Sequence, residues 1–118
     1  MARRSRSPWM GAVVLTAANT PYQLSALLDA LTNSPTKGPQ SGIYRATALA
    51  FFVFTGAATV TVGNDDVSAT NGGLQLVGSQ GGPPVPLAGG GLNLINLNDI
   101  YLFSNTASTS VGVTLVTR

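Results

Sequence analysis

Apolar and polar positions alternate over short stretches along most of this chain, and the period changes once. Residues 11–17 (GAVVLTA) form a short β-branched apolar run that predicts a first strand. Leu24, Leu27, Leu28 and Leu31 then fall at helical spacing, with Thr20 placed as an N-cap and Pro21 at the first helical position. This predicts one short helix over residues 22–31. Two prolines and a glycine in residues 32–39 deny helix continuation and predict a loop. The stretch 43–62 carries no charge after Arg45 and invites a membrane-spanning reading. Thr47, Thr55, Thr59 and Thr61 interrupt it and Gly56 divides it, so two strands, 43–54 and 59–62, are the better reading. Among its aromatics, Phe52 and Phe54 share one strand face and are expected to pack in the core rather than to form a ligand stripe.

Beyond residue 62, short apolar pieces are separated by turn residues. Asn64-Asp65-Asp66, Asn71-Gly72-Gly73 and the 78–82 cluster tolerate the backbone angles that tight turns need. Residues 74–77, 92–97, 100–103 and 111–116 read as strands, and 85–87 as an edge strand at most, because Pro86 has no ladder donor. The pattern predicts an all-β fold, an antiparallel β-sandwich or jelly-roll-like small barrel of about seven to nine short strands. One domain over residues 11–118 is expected, behind an extended basic arm over 1–10.

Composition narrows what such a domain does. Only 8% of the 118 residues are charged, about a third of the usual share. Ser, Thr, Asn and Gln together supply 35 residues, so the surface is expected to be neutral and hydroxyl-rich. With little repulsion between copies, such a chain is expected to live inside an assembly. The absence of His and Cys removes disulfides, thiolate metal sites, Ser-His triads and Cys nucleophiles. No enzyme activity, cofactor, metal or small-molecule substrate is expected.

The remaining candidate chemistry is sparse. Gly89-Gly90-Gly91 is followed by a strand pattern rather than a helix N-terminus, so it reads as a turn and not as a phosphate loop. Asp65-Asp66 and Asp99 lack the spaced carboxylates and terminal Glu of a calcium loop and read as turn formers. An Asp-dependent hydrolase would need two of these carboxyls within about 10 Å in a cleft. Trp9, Tyr22, Tyr44 and Tyr101 are scattered, which favours interface or core duty. A glycan-binding module would instead show an exposed aromatic beside two or more polar groups.

Arg3, Arg4 and Arg6 concentrate positive charge in the first six residues, whereas three basic residues face four aspartates in the rest. The guanidiniums suit docking on carboxylates or phosphates, or form a solvated tail; the residues alone leave both open. The apolar stretch 9–15 behind them is short for a secretory signal, so the segment is expected to be retained. Three arginines without base-stacking aromatics do not predict nucleic-acid binding.

The succession Val60-Thr61-Val62-Gly63, Val67-Ser68-Ala69-Thr70-Asn71-Gly72, Leu74 and Leu76, a Gly/Pro-rich segment, Leu97-Asn98-Asp99-Ile100-Tyr101 and a Val-rich final strand resembles small accessory structural proteins of tailed bacteriophage virions, of the capsid cement or decoration type. The likeness runs from Thr16 to the end, through loose strand-turn-strand phrases. Residues 78–91 are longer and richer in Gly and Pro than that pattern, and the 34–40 loop, basic start and short helix are individual. The resemblance implies a virion protein on the capsid surface that bridges major capsid subunits as a homotrimer. Arg3, Arg4, Arg6 and Trp9 are the expected anchoring residues, since Arg and Trp dominate many interfaces. The alternatives are a neck, tail or fibre-base component and a glycan- or receptor-binding module.

Overall fold

A computed structural model describes residues 8–31, 45–46, 48–78, 85–88 and 95–116. Of the described residues 54% lie in strands, arranged as three antiparallel sheets with one short helix. One four-stranded sheet has the order β1 (Pro8–Leu15), β10 (Thr109–Val116), β4 (Ala48–Val53), β7 (Val85–Ala88). A second runs β2 (Tyr22–Gln23), β9 (Tyr101–Ser104), β5 (Thr59–Gly63), β6 (Leu74–Val77). β3 (Arg45–Ala46) and β8 (Ile95–Asn96) form a two-stranded ribbon.

Both four-stranded sheets feed one apolar core. In the first, β1 contributes Val13 and Leu15, β10 contributes Val111, Val113 and Leu115, and β4 contributes Leu49, Phe51 and Val53. The register sets these opposite one another, Val113 against Phe51 and Leu115 against Leu49, so the period-two patterns of adjacent strands reinforce a single inner face. Val60, Val62, Leu76 and Leu102 enter from the second sheet. Leu24 and Leu28 of α1 (Leu24–Asp29) and Leu97 of a 3-10 turn (Leu97–Asp99) complete the core.

Four expectations are corrected. The first strand begins at Pro8, where Pro8 to Met10 pair with Val116, Leu115 and Thr114, so these three residues belong to the sheet and not to the expected arm. The helix begins at Leu24 and Thr20 does not cap it: Tyr22 and Gln23 are drawn into β2 by pairing with Leu102 and Tyr101, and the Leu24 amide donates to the Ile100 carbonyl at 2.8 Å. Sheet pairing here overrides local helical propensity. The strand expected over 43–54 is divided, with Arg45–Ala46 paired to Ile95–Asn96 and Ala48–Val53 paired to β10 and β7. The strand expected over 92–97 ends at Asn96, because the Asn96 side chain accepts from the Asn98 amide and turns the chain into the 3-10 segment; its residues 92–94 lie outside the described residues. The edge strand anticipated around Pro86 is β7.

Buried polar groups are paired. Thr109 Oγ1 donates to the Thr106 carbonyl at 2.6 Å, and Ser104 Oγ lies 2.6 Å from Thr109 Oγ1 while accepting from the Thr106 amide. Among the described residues no buried side-chain nitrogen or oxygen lacks a partner, as the cost of burying an unpaired polar group requires. No described helix is long and apolar enough to cross a membrane.

Candidate functional site

Strand alternation that buries one face of the first sheet must present the other, and here the outward set is apolar. On β1 the outward positions are Met10, Ala12 and Val14; on β10 they are Ser110, Gly112, Thr114 and Val116; on β4 they are Ala48, Ala50 and Phe52, with Phe54 just beyond the strand. Met10 is 66% exposed, Phe54 59% and Val14 47%. Antiparallel sheets with one solvated face ordinarily turn polar residues outward. Ser110 and Thr114 are the polar members of this set, and none of it is charged.

The face is hollowed rather than flat. Gly112 sits opposite both Ala12 and Phe52, and the Phe54 ring leans over it, so that a Cβ at Gly112 would lie 2.7 Å from Phe54 Cε2. Phe52 and Phe54 meet edge to face, centroids 5.1 Å apart at 70°, a favoured aromatic geometry. With Met10, Ala12 and Thr114 these rings border a depression of about 540 Å³.

Phe52 and Phe54 therefore do not pack in the core as the sequence predicts; Phe51 does, 1% exposed. The phase is set by Leu49, Phe51 and Val53, which meet Leu115, Val113 and Val111 across the ladder. The outward apolar set was missed as a site, although unbroken apolar character at both parities of 9–15 is its signature in the sequence.

The other expected site residues are dispersed. Trp9 lies in β1, half-buried against the core, its ring laid across Gly11, where a Cβ would fall 2.7 Å from Trp9 Cζ2. Arg3, Arg4 and Arg6 lie outside the described residues, as do Tyr44 and Gly89 to Gly91. Tyr22 is half-buried, and its hydroxyl bonds Thr16 Oγ1 and the Ala17 amide, both at 2.9 Å, closing the connection between β1 and β2. Asp65 and Asp66 stand on the exposed turn after β5 and Asp99 at the exposed end of the 3-10 turn; Asn64 Nδ2 donates to the Asp99 carbonyl at 3.0 Å, tying the turns together. Among the described residues no group of three or more acidic side chains could hold a metal ion.

The second sheet is treated differently. Residues 64–73 fold back over its outer side: the Gly73 amide donates to the Val62 carbonyl at 2.9 Å, and Gln75 Nε2 bonds both Thr61 Oγ1 and the Ala69 carbonyl. The result is a polar hollow of about 360 Å³ bordered by Thr61, Thr70, Asn71 and Gln75. No aromatic lines this hollow, and the apolar depression has aromatics but a single polar side chain, Thr114. Neither combines the aromatic and polar groups that a sugar site needs. Compared with family models, curated proteins and solved structures, the chain finds no match.

Proposed function

We propose that this chain is a structural virion protein, a cement or decoration protein that binds the outer shell of a tailed-phage capsid and bridges major capsid subunits. In this reading the two four-stranded sheets are the layers of an antiparallel sandwich, and the outward face of the β1-β10-β4-β7 sheet lies against the shell. The observation that carries it is that charge-free face, with Met10, Val14 and Phe54 in water. Exposed apolar patches of this kind mark interaction sites.

Magnitudes favour a multivalent setting. The three strands β1, β10 and β4, at about 4.8 Å spacing and 3.3 Å per residue, span on the order of 14 by 26 Å, or about 350 Å². At about 25 cal/mol per Å², burying that area contributes on the order of 9 kcal/mol, which association costs of about 4–15 kcal/mol largely cancel. A single contact is weak, whereas many identical contacts on a closed shell, aided by the basic segment ahead of Pro8, hold firmly. The same surface serves a neck, tail or fibre-base ring equally well, and copy number separates those locations.

The test is rebinding of purified protein to particles stripped of it. Met10→Ser and Phe54→Ser variants, both altered at exposed positions, are expected to stay folded and to lose most of their occupancy. Occupancy equal to that of the unaltered chain would overturn the assignment of this face.

A further inference from the structure

We infer that β1 is a self-pairing edge, and that two copies of this chain join β1 to β1 across a two-fold axis into one continuous eight-stranded sheet. Among the described residues the sheet order leaves β1 and β7 at the edges, and the two are built oppositely. β7 is four residues long and carries Pro86, which has no amide to offer an incoming strand. β1 is eight residues long, and its interior contains no proline and no charged residue. Its own sequence therefore lacks the charges, internal proline and brevity that keep a sheet edge from recruiting another strand.

The sequence of β1 says what the incoming strand is. An antiparallel two-fold beside Ala12 sets Met10 opposite Val14 and Gly11 opposite Val13 of the second copy. Every such pair joins residues of the same parity, so outward residues meet outward residues and inward residues meet inward ones. Self-pairing brings like against like, and an uncharged strand is one that tolerates it. Pairing also doubles the outward apolar face, from about 350 to about 700 Å², close to the 800 Å² or so that each partner buries in a stable interface. The unit is then two-fold, in place of the homotrimer implied by the phage resemblance. The inference holds for the isolated protein wherever it is located, so it and the capsid reading fail separately.

The experiment uses the full chain, which has no native cysteine. Sedimentation velocity from about 10 µM to 1 mM, the range of a weak strand-mediated pair, is expected to pass from monomer to dimer. Ala12→Lys, at an exposed position, sets two ammonium groups face to face and is expected to raise the dissociation constant at least about tenfold, with circular dichroism unchanged. Facing Ala12 positions lie within the Cα spacing a disulfide spans. Ala12→Cys is therefore expected to cross-link at least about tenfold faster than Val77→Cys, an exposed control at the edge of the other sheet. A monomer at every concentration with equal cross-linking rates would overturn the inference, including the case in which a different protein supplies the strand. A dimer insensitive to Ala12→Lys, or one that cross-links faster through Val77→Cys, would overturn it as well.

Discussion

Replacing Phe51 and Phe54 separately with alanine tests which side of β4 faces the core. Phe51 is 1% exposed, flanked on its strand by Leu49 and Val53 and opposed by Val113. Its removal leaves a cavity in the core and is expected to cost about 3–5 kcal/mol. Phe54, at 59% exposure, has less than half its surface to lose, worth about 1 kcal/mol. Its edge-on contact with Phe52 adds about 0.5–1.5 kcal/mol. Total stabilities of single domains run about 5–15 kcal/mol, so Phe51→Ala consumes much of the margin and Phe54→Ala little. In urea unfolding, with slopes of about 1–3 kcal/mol per M, Phe51→Ala is expected to lower the midpoint by about 2 M and Phe54→Ala by about half as much. Equal losses, or a larger loss at Phe54, would refute the assignment of faces.

Other substitutions probe the remaining structure. Thr109→Val removes the hydroxyl that Ser104 faces and that donates to Thr106; it is expected to cost about 1–3 kcal/mol, and a double-mutant cycle with Ser104→Ala should show coupling in thermal melts. Gly72→Ala would drive a Cβ into Thr61 Cγ2 and within 3.1 Å of the Val62 carbonyl, so the Gly73 amide should exchange with solvent faster as residues 64–73 lift from the sheet. Gly112→Ala meets the movable Phe54 ring at 2.7 Å; stability is expected to change by under about 1 kcal/mol while rebinding to particles falls, and unchanged rebinding would count against the hollow as part of the interface. Deleting residues 1–7, ahead of β1, should leave the unfolding midpoint in place and reduce particle occupancy; full occupancy would remove the arm from the account.

The β character was legible because turn residues punctuate the chain at short intervals, and β5, β6, β9 and β10 lie close to where alternation places them. The outward face was legible in principle at β4. Its inward set Leu49, Phe51, Val53 is uniformly large, whereas the other parity opens with Ala48 and Ala50; weighing whole parities instead of the Phe52 and Phe54 pair finds the right phase. The shortened helix was not legible, because what claims Tyr22 and Gln23 is β9, almost 80 residues along the chain. The division of the 43–54 stretch has the same origin, in the separate partners of Arg45–Ala46 and Ala48–Val53. Charge scarcity pointed to an assembly, but the outward apolar face proposed to serve it emerges only when pairing brings β1, β10 and β4 side by side.

The central claim is that this domain coats a shell, and quantitative protein staining of purified particles tests it most directly. The account predicts a ratio to the major capsid protein near one-to-one, or about one-to-three for sparse occupancy, as repeated weak contacts require. A few copies per hundred capsid subunits would move the protein to the neck, tail or fibre base, and its complete absence from particles would contradict the virion assignment.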